Sequence, residues 1–165
     1  MKSDKETLFE AILAQSRAGI YRVCKAYSGP HETPDDLVQD VLLEIWKSLD
    51  RFRNASSWNT YVYRIALNTA ISHQVKRKRR PEVVGSVPDV ADEGPDPKEA
   101  RLRRMHTCIA KLPDPDKALI SLVLEDLSYK EIADILDVNV TLVGVRINRV
   151  KKKLITLMEQ TYGSL

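Results

Sequence analysis

Five side chains have the chemistry to hold a metal or attack a substrate: His31, His73, His106, Cys24 and Cys108. Their spacing does not gather them. His106 and Cys108 stand two residues apart, and on a helix that step turns side chains away from one another. The two cysteines lie far apart in apolar helical patterns and form no disulfide framework, which points to a reducing, cytoplasmic compartment. The sequence carries no phosphate-binding glycine loop, no nucleophile elbow and no paired catalytic carboxylates. No catalytic residue, metal or cofactor is therefore assigned, and the expectation is a protein that is not an enzyme. The groups that do cluster are cations. Lys76 to Arg80 read KRKRR, and between Val138 and Met158 the five charges of Arg146, Arg149 and Lys151 to Lys153 meet no acid. Cations so arranged suit a phosphate backbone. Residues 32–50 are the converse, with six acids to one lysine. Such segregation behind a net charge of only +3 points to different partners for different surfaces.

The elements that must position these groups are helices. An apolar fraction of 43% with 30% charged residues belongs to a soluble globular chain. No apolar run reaches the roughly 18–20 residues of a membrane span, and the charged N-terminus has no signal-peptide core. Start signals recur: Ser3 with Glu6, Thr33-Pro34-Asp35-Asp36, Ser56-Ser57, Asp96 with Glu99, Asp114-Pro115, and Ser128 with Glu131. After the first of these, Leu8, Ile12, Ile20, Val23 and Tyr27 run at helical spacing until Gly29-Pro30. A third helix runs from Trp58 into the basic tail at Arg80. Residues 81–96, PEVVGSVPDVADEGPD, hold three of the eight prolines and no amphipathic period, the composition of a flexible linker. No strand alternation of useful length occurs. The expected fold is all-α in two small domains, residues 1–80 and 97–165, joined by the linker 81–96.

In the second half, LSYKEIADILDVNVTLVGVRINRVKKKL reads as two helices joined by a tight turn. Ile132, Ala133 and Leu136 form the inner face of the first helix. Val143, Ile147, Val150 and Leu154 form one narrow stripe on the second. Thr141, Val145, Asn148 and Lys152 then face outward with Arg149 beside them. This fits a helix-turn-helix, and it equally fits a helical hairpin with a solvated basic face. In the first half, DDLVQDVLLEIWKSL places Val38, Val41, Leu42, Ile45 and Leu49 inward. Asp36, Gln39, Asp40, Leu43 and Lys47 face outward. An exposed leucine among acids suits a docking partner, and it also suits an ordinary solvated face. On the next helix Trp58, Tyr61, Val62, Ile65 and Thr69 share the core face, leaving Tyr63, Arg64, Leu67 and Asn68 to point elsewhere.

The C-terminal pair of helices resembles region four of sigma factors and also the DNA-binding domain of LuxR-type regulators. The run DDLVQDVLLEIWKSLDRFRNASSWNTYVYRIALNTAISHQVKRKRR resembles sigma region two, which LuxR-type regulators lack. Regions two and four joined by a short acidic linker resemble the extracytoplasmic-function (group four) sigma factors of the sigma-70 family. That resemblance implies an alternative sigma factor that binds core RNA polymerase, through the β′ coiled coil and the β subunit, and directs initiation at particular promoters. A stand-alone LuxR-like regulator is the alternative. The resemblance assigns polymerase binding to Asp36, Gln39, Asp40, Leu43 and Trp46. It assigns minus-ten DNA to Arg53, Asn54, Ser56, Ser57, Arg64, Asn68, Lys76 and Arg77. It assigns minus-35 DNA to Lys130, Thr141, Val145, Arg146, Asn148, Arg149 and Lys152. It also implies an anti-sigma partner that clamps the two halves together.

Small polar groups in the loop Arg53 to Ser57 suit the edge of a flipped base, and the KRKRR tail suits backbone phosphates, which position without specifying sequence. The chain departs from the family pattern in several places. Ser72 stands where an acid is frequent, and Asp137 replaces the turn glycine. Gly144 stands where a long polar residue is common. Val145 replaces a frequent serine and offers a methyl-bearing surface to thymine.

Overall fold

Side-chain caps open five of the seven α-helices among the described residues. In the computed structural model, which describes residues 2–29, 32–52, 57–79 and 96–163, Ser3 accepts from the Glu6 amide and opens α1 (Asp4–Tyr27). Thr33 precedes α2 (Pro34–Ser48), but its side chain makes no capping hydrogen bond. The proline at the first turn and Asp35 and Asp36 against the positive helix end favour the start instead. A 3₁₀ turn (Leu49–Arg51) follows, and Ser57 accepts from the Thr60 amide to open α3 (Trp58–Lys78). Asp96 accepts from the Lys98 amide ahead of α4 (Pro97–Ala110), so this residue of the expected linker is a helix cap. The rest of that stretch lies outside the described residues. Then come α5 (Asp114–Val123), α6 (Tyr129–Leu136) and α7 (Val140–Tyr162). Ser128 and Glu131 complete a reciprocal capping box at the start of α6. Among the described residues there is no strand, and the fold is all-α.

The first three helices pack on one another around Ile20, Val23, Tyr27, Leu37, Val41, Ile45 and Val62, all essentially without exposure. In the second unit α7 is the spine, touching α4, α5 and α6 through the expected stripe of Val143, Ile147, Val150 and Leu154, extended by Met158. Each such side chain contributes about 1.5–3 kcal/mol by leaving water. The two units also meet: α1 packs on α4 and α5, and α3 packs on α6.

That second contact corrects two expectations. Tyr63 and Leu67 do not point away from the core but are buried at 6% and 4% exposure, while Trp58, Tyr61, Ile65 and Thr69 are half-buried. A helix enclosed by α1, α2 and α6 buries a wider arc than one stripe. On α6 the buried set is Ile132, Ala133 and Ile135, with Leu136 only half-buried, because α6 is packed by α3 as well as by α5 and α7.

Candidate functional site

The outer face of α2 carries Asp36, Gln39, Asp40 and Leu43 in the open, with Leu43 half exposed. Its inner face is anchored by Leu37, Val38, Val41 and Ile45, which fixes the orientation of the outer one. Trp46 is placed differently: it is half-buried, edge-on to Phe9 at 5.2 Å, with the Lys5 ammonium 4.3 Å from its ring centroid. Asp40 and Leu43 line an open groove of about 700 Å³ with Asn68 and Lys76 of α3. The acidic face of α2 thus adjoins the polar and basic face of α3.

The basic end of α3 is tied to its neighbours. Arg77 donates to the Tyr27 carbonyl oxygen at 3.0 Å and lies 3.8 Å from Glu32. His73 Nε2 is 3.0 Å from the same carboxylate, which also accepts from the Gly29 amide. The hydrogen bond with His73 holds the Glu32 carboxyl below its ordinary range despite partial burial, helped by the Gly29 amide and by the charges of His73 and Arg77. Lys76 stays exposed. Of the other candidates on this side, Arg53, Asn54 and Ser56 lie outside the described residues. Ser57 caps α3, and beside it Phe52 stacks on Trp58 with ring centroids 3.9 Å apart and touches Tyr61.

In the second unit the tight turn is made by Asp137, with φ 54° and ψ 51°. A left-handed residue here is usually glycine, and Asp is among the few others that adopt the conformation at modest cost. Asn139 then accepts from the Thr141 amide at 2.8 Å, starting α7. With the apolar stripe buried beneath, Thr141, Val145, Arg146, Asn148, Arg149 and Lys152 all stand exposed along the outer side. Spacing of four and three residues keeps Thr141, Val145, Asn148 and Lys152 on one line along α7. Lys153 is diverted to Asp116, 2.7 Å away. A Cβ on Gly144 would meet only the Tyr129 ring, at 3.6 Å, so no close approach inside the chain demands glycine there.

Arg64 and Lys130, assigned to different DNA elements, line one cleft. Arg64 of α3 donates to the Asp134 carbonyl oxygen of α6 at 2.6 Å, and both line a cleft of about 820 Å³ with Lys130, Tyr61 and Arg51. Sequence reasoning did not find this meeting, nor Arg22, Glu125 and Tyr63, which join across the same boundary. Arg22 and Glu125 are 103 residues apart, and no periodic pattern marks such a pair.

Among the described residues the cysteines and His73 and His106 form no cluster, and His31 lies outside those residues. Cys24 and Cys108 are free and buried, and burial pushes the Cys24 thiol up to about 12. Among the described residues no three His, Cys, Asp or Glu side chains are grouped as metal ligands, and no helix is long and apolar enough to cross a membrane.

Comparison with known proteins places both halves. Residues 13–80 match the family model for sigma-70 region 2, and residues 102–154 match that for sigma-70 region 4. The RNA polymerase sigma-H factor of Pseudomonas aeruginosa is 33% identical over 132 residues, covering 71% of this chain and 68% of that protein. The ECF RNA polymerase sigma-E factor of Escherichia coli K12 is 29% identical over 92% of this chain and 86% of its own. In fold, the chain is similar to CnrH in its complex with the cytosolic domain of CnrY, with a TM-score of 0.70, 24% identity and coverage of 94% and 90%. It is equally similar to the sigma factor RpoE bound to the anti-sigma factor NepR from Bartonella quintana, with a TM-score of 0.70, 23% identity and coverage of 92% and 96%.

Proposed function

Because the chain belongs to the sigma-70 family of RNA polymerase sigma factors, in its extracytoplasmic-function branch, we propose that it serves as an alternative sigma factor that binds core RNA polymerase and directs initiation at particular promoters. The observation that carries the reading is the presence, in one chain, of the acid-rimmed Leu43 face on α2 and the basic outer face of α7 behind a capped turn. A regulator that acts alone has use for the second and none for the first.

In this reading Asp36, Gln39, Asp40 and Leu43 dock on the β′ coiled coil, with Trp46 bracing the helix against Phe9. In the same reading, the groove shared by α2 and α3 sets that docking face beside Asn68 and Lys76 of the minus-ten face, with Arg64 one turn earlier on α3. Ser57 is assigned to minus-ten DNA as well, as are Arg53, Asn54 and Ser56, which lie outside the described residues, and Arg77 steadies α3 while adding positive charge for phosphates. On α7, Thr141, Val145, Asn148 and Arg149 read minus-35 bases, and Lys130, Arg146 and Lys152 hold backbone phosphates. The units correspond to residues 1–80 and 97–165. The chain contributes recognition and helps to open the duplex, and the polymerase performs the chemistry in the cytoplasm. An anti-sigma factor is a further partner, consistent with the likeness of fold to CnrH and RpoE in their complexes.

Run-off transcription with core polymerase, with and without the chain, tests the reading. The expected result is a transcript only when the chain is added. A protein that shifts duplex DNA by itself and yields no transcript with core would be a stand-alone regulator of the LuxR type.

A further inference from the structure

We infer that Glu125 is a latch that keeps the two units closed in the free chain and thereby ties up Arg64 on the minus-ten face of α3; the masking half of this inference rests on the function proposed above. Glu125 sits in the connection between α5 and α6, and its side chain is only 3% exposed. It reaches across to the first unit. Arg22 of α1 grips it in a fork, Nε to Oε1 and Nη2 to Oε2, both at 2.6 Å. The Tyr63 hydroxyl of α3 donates to Oε2 at 3.3 Å. Paired, planar hydrogen bonds of this kind are the strong form of an Arg–carboxylate contact.

The socket has a built floor. A Cβ on Gly19 would overlap the Tyr63 hydroxyl and stand 2.7 Å from Glu125 Oε2, so only glycine leaves room for the carboxylate. The adjoining Asp126 holds φ at 55°, a left-handed conformation that side-chain-bearing residues adopt at a cost. A carboxylate stripped of water is stable only while such partners remain, so the contact is all-or-none rather than graded.

Closure has a consequence for α3. With the latch shut, α6 lies over α3 and Arg64 spends its guanidinium on the Asp134 carbonyl oxygen. The Lys78 ammonium, in the basic tail, is also drawn to within 3.8 Å of Asp114. While these contacts persist, the Nη2 edge of Arg64 is committed within the chain and turned from DNA. Core polymerase, by holding the two units on separate surfaces, would supply the opening.

The test uses the full chain as Glu125→Gln, Arg22→Gln and the double variant. Small-angle scattering reads compactness, and binding of a single-stranded minus-ten oligonucleotide reads the uncovered face. Each single variant should expand the chain and tighten oligonucleotide binding roughly tenfold: Arg22→Gln leaves the 3%-exposed Glu125 carboxylate without its fork, and Glu125→Gln removes the charged acceptor that holds Arg22. The double variant should add little beyond either single one, because the two side chains act as one contact. Circular dichroism should show the helices intact. Variants as compact as the wild-type chain would overturn the latch. Expansion without tighter oligonucleotide binding would overturn the masking of α3. Failure of the wild-type chain to support run-off transcription with core polymerase would instead overturn the function on which the masking rests, whatever the scattering shows.

Discussion

In the function proposed above, single residues separate the groups that specify from those that position. Asn148 and Arg149 stand exposed on the outer side of α7 and can pair with base edges, whereas the ammonium of Lys152 is a point charge suited to phosphate. Asn148→Ala and Arg149→Ala should each cost about 1–3 kcal/mol at the preferred promoter and relax base preference at one position. Lys152→Ala should weaken binding evenly across sequences and flatten its salt dependence. Competition binding against single-base promoter variants at two salt concentrations checks all three, and unchanged selection would refute the assignment. Asp137 is a second residue-scale case. At φ 54° a β-branched side chain is strained, so Asp137→Val should lower stability by about 1–2 kcal/mol in urea unfolding, and Asp137→Gly should not lower it. The left-handed turn was legible because Asp and Asn bracket a single residue between two apolar stripes. Glu125 was not legible. Its role depends on a glycine, an arginine and a tyrosine that the chain brings near only after folding.

At the scale of elements, most of the fold was readable because each helix carries its own start signal and a stripe with one period. Where the reading failed, a helix had more than one neighbour. Tyr63, Leu67 and Ile135 fell outside the predicted stripes because α3 and α6 bury against each other as well as into their own units. The Thr33 cap shows a different limit: a residue type suited to capping can occupy the position without making the bond. Within α7, Gly144 offers a clean test. Its added methyl would meet Tyr129 at ordinary contact distance, so Gly144→Ala should raise stability by roughly 0.5–1 kcal/mol in thermal or urea unfolding. If the glycine serves close approach of α7 to the minus-35 groove, the same variant should bind that element less tightly. Gains in both stability and affinity would leave Gly144 without that role.

For the whole molecule, the boundary between units carries its own chemistry. His106 of α4 is half-buried there, and burial lowers its pKa from 6.5, reinforced by the positive charges of Lys25 and Arg22 and opposed by Glu125. The sign follows directly: the folded state binds its proton less readily than the unfolded chain, so stability is lost as pH falls below 6.5 toward the depressed value. Unfolding free energy measured between pH 7.5 and 5.5 should decline, and His106→Gln should flatten the decline over that window. An unchanged slope would assign the pH dependence elsewhere, with Glu32, whose pKa is also lowered, acting only at more acidic pH. Lys117 marks the same boundary: it is 3% exposed and sits 5.0 Å from the centroid of the Tyr27 ring, and burial lowers its pKa. Lastly, each unit encloses one thiol, Cys24 in α1 and Cys108 in α4, both without exposed surface. A thiol that must leave the interior before it can react is an internal clock. Alkylation of the two cysteines, followed separately by mass spectrometry, would time the breathing of each unit in the wild-type chain without any added label.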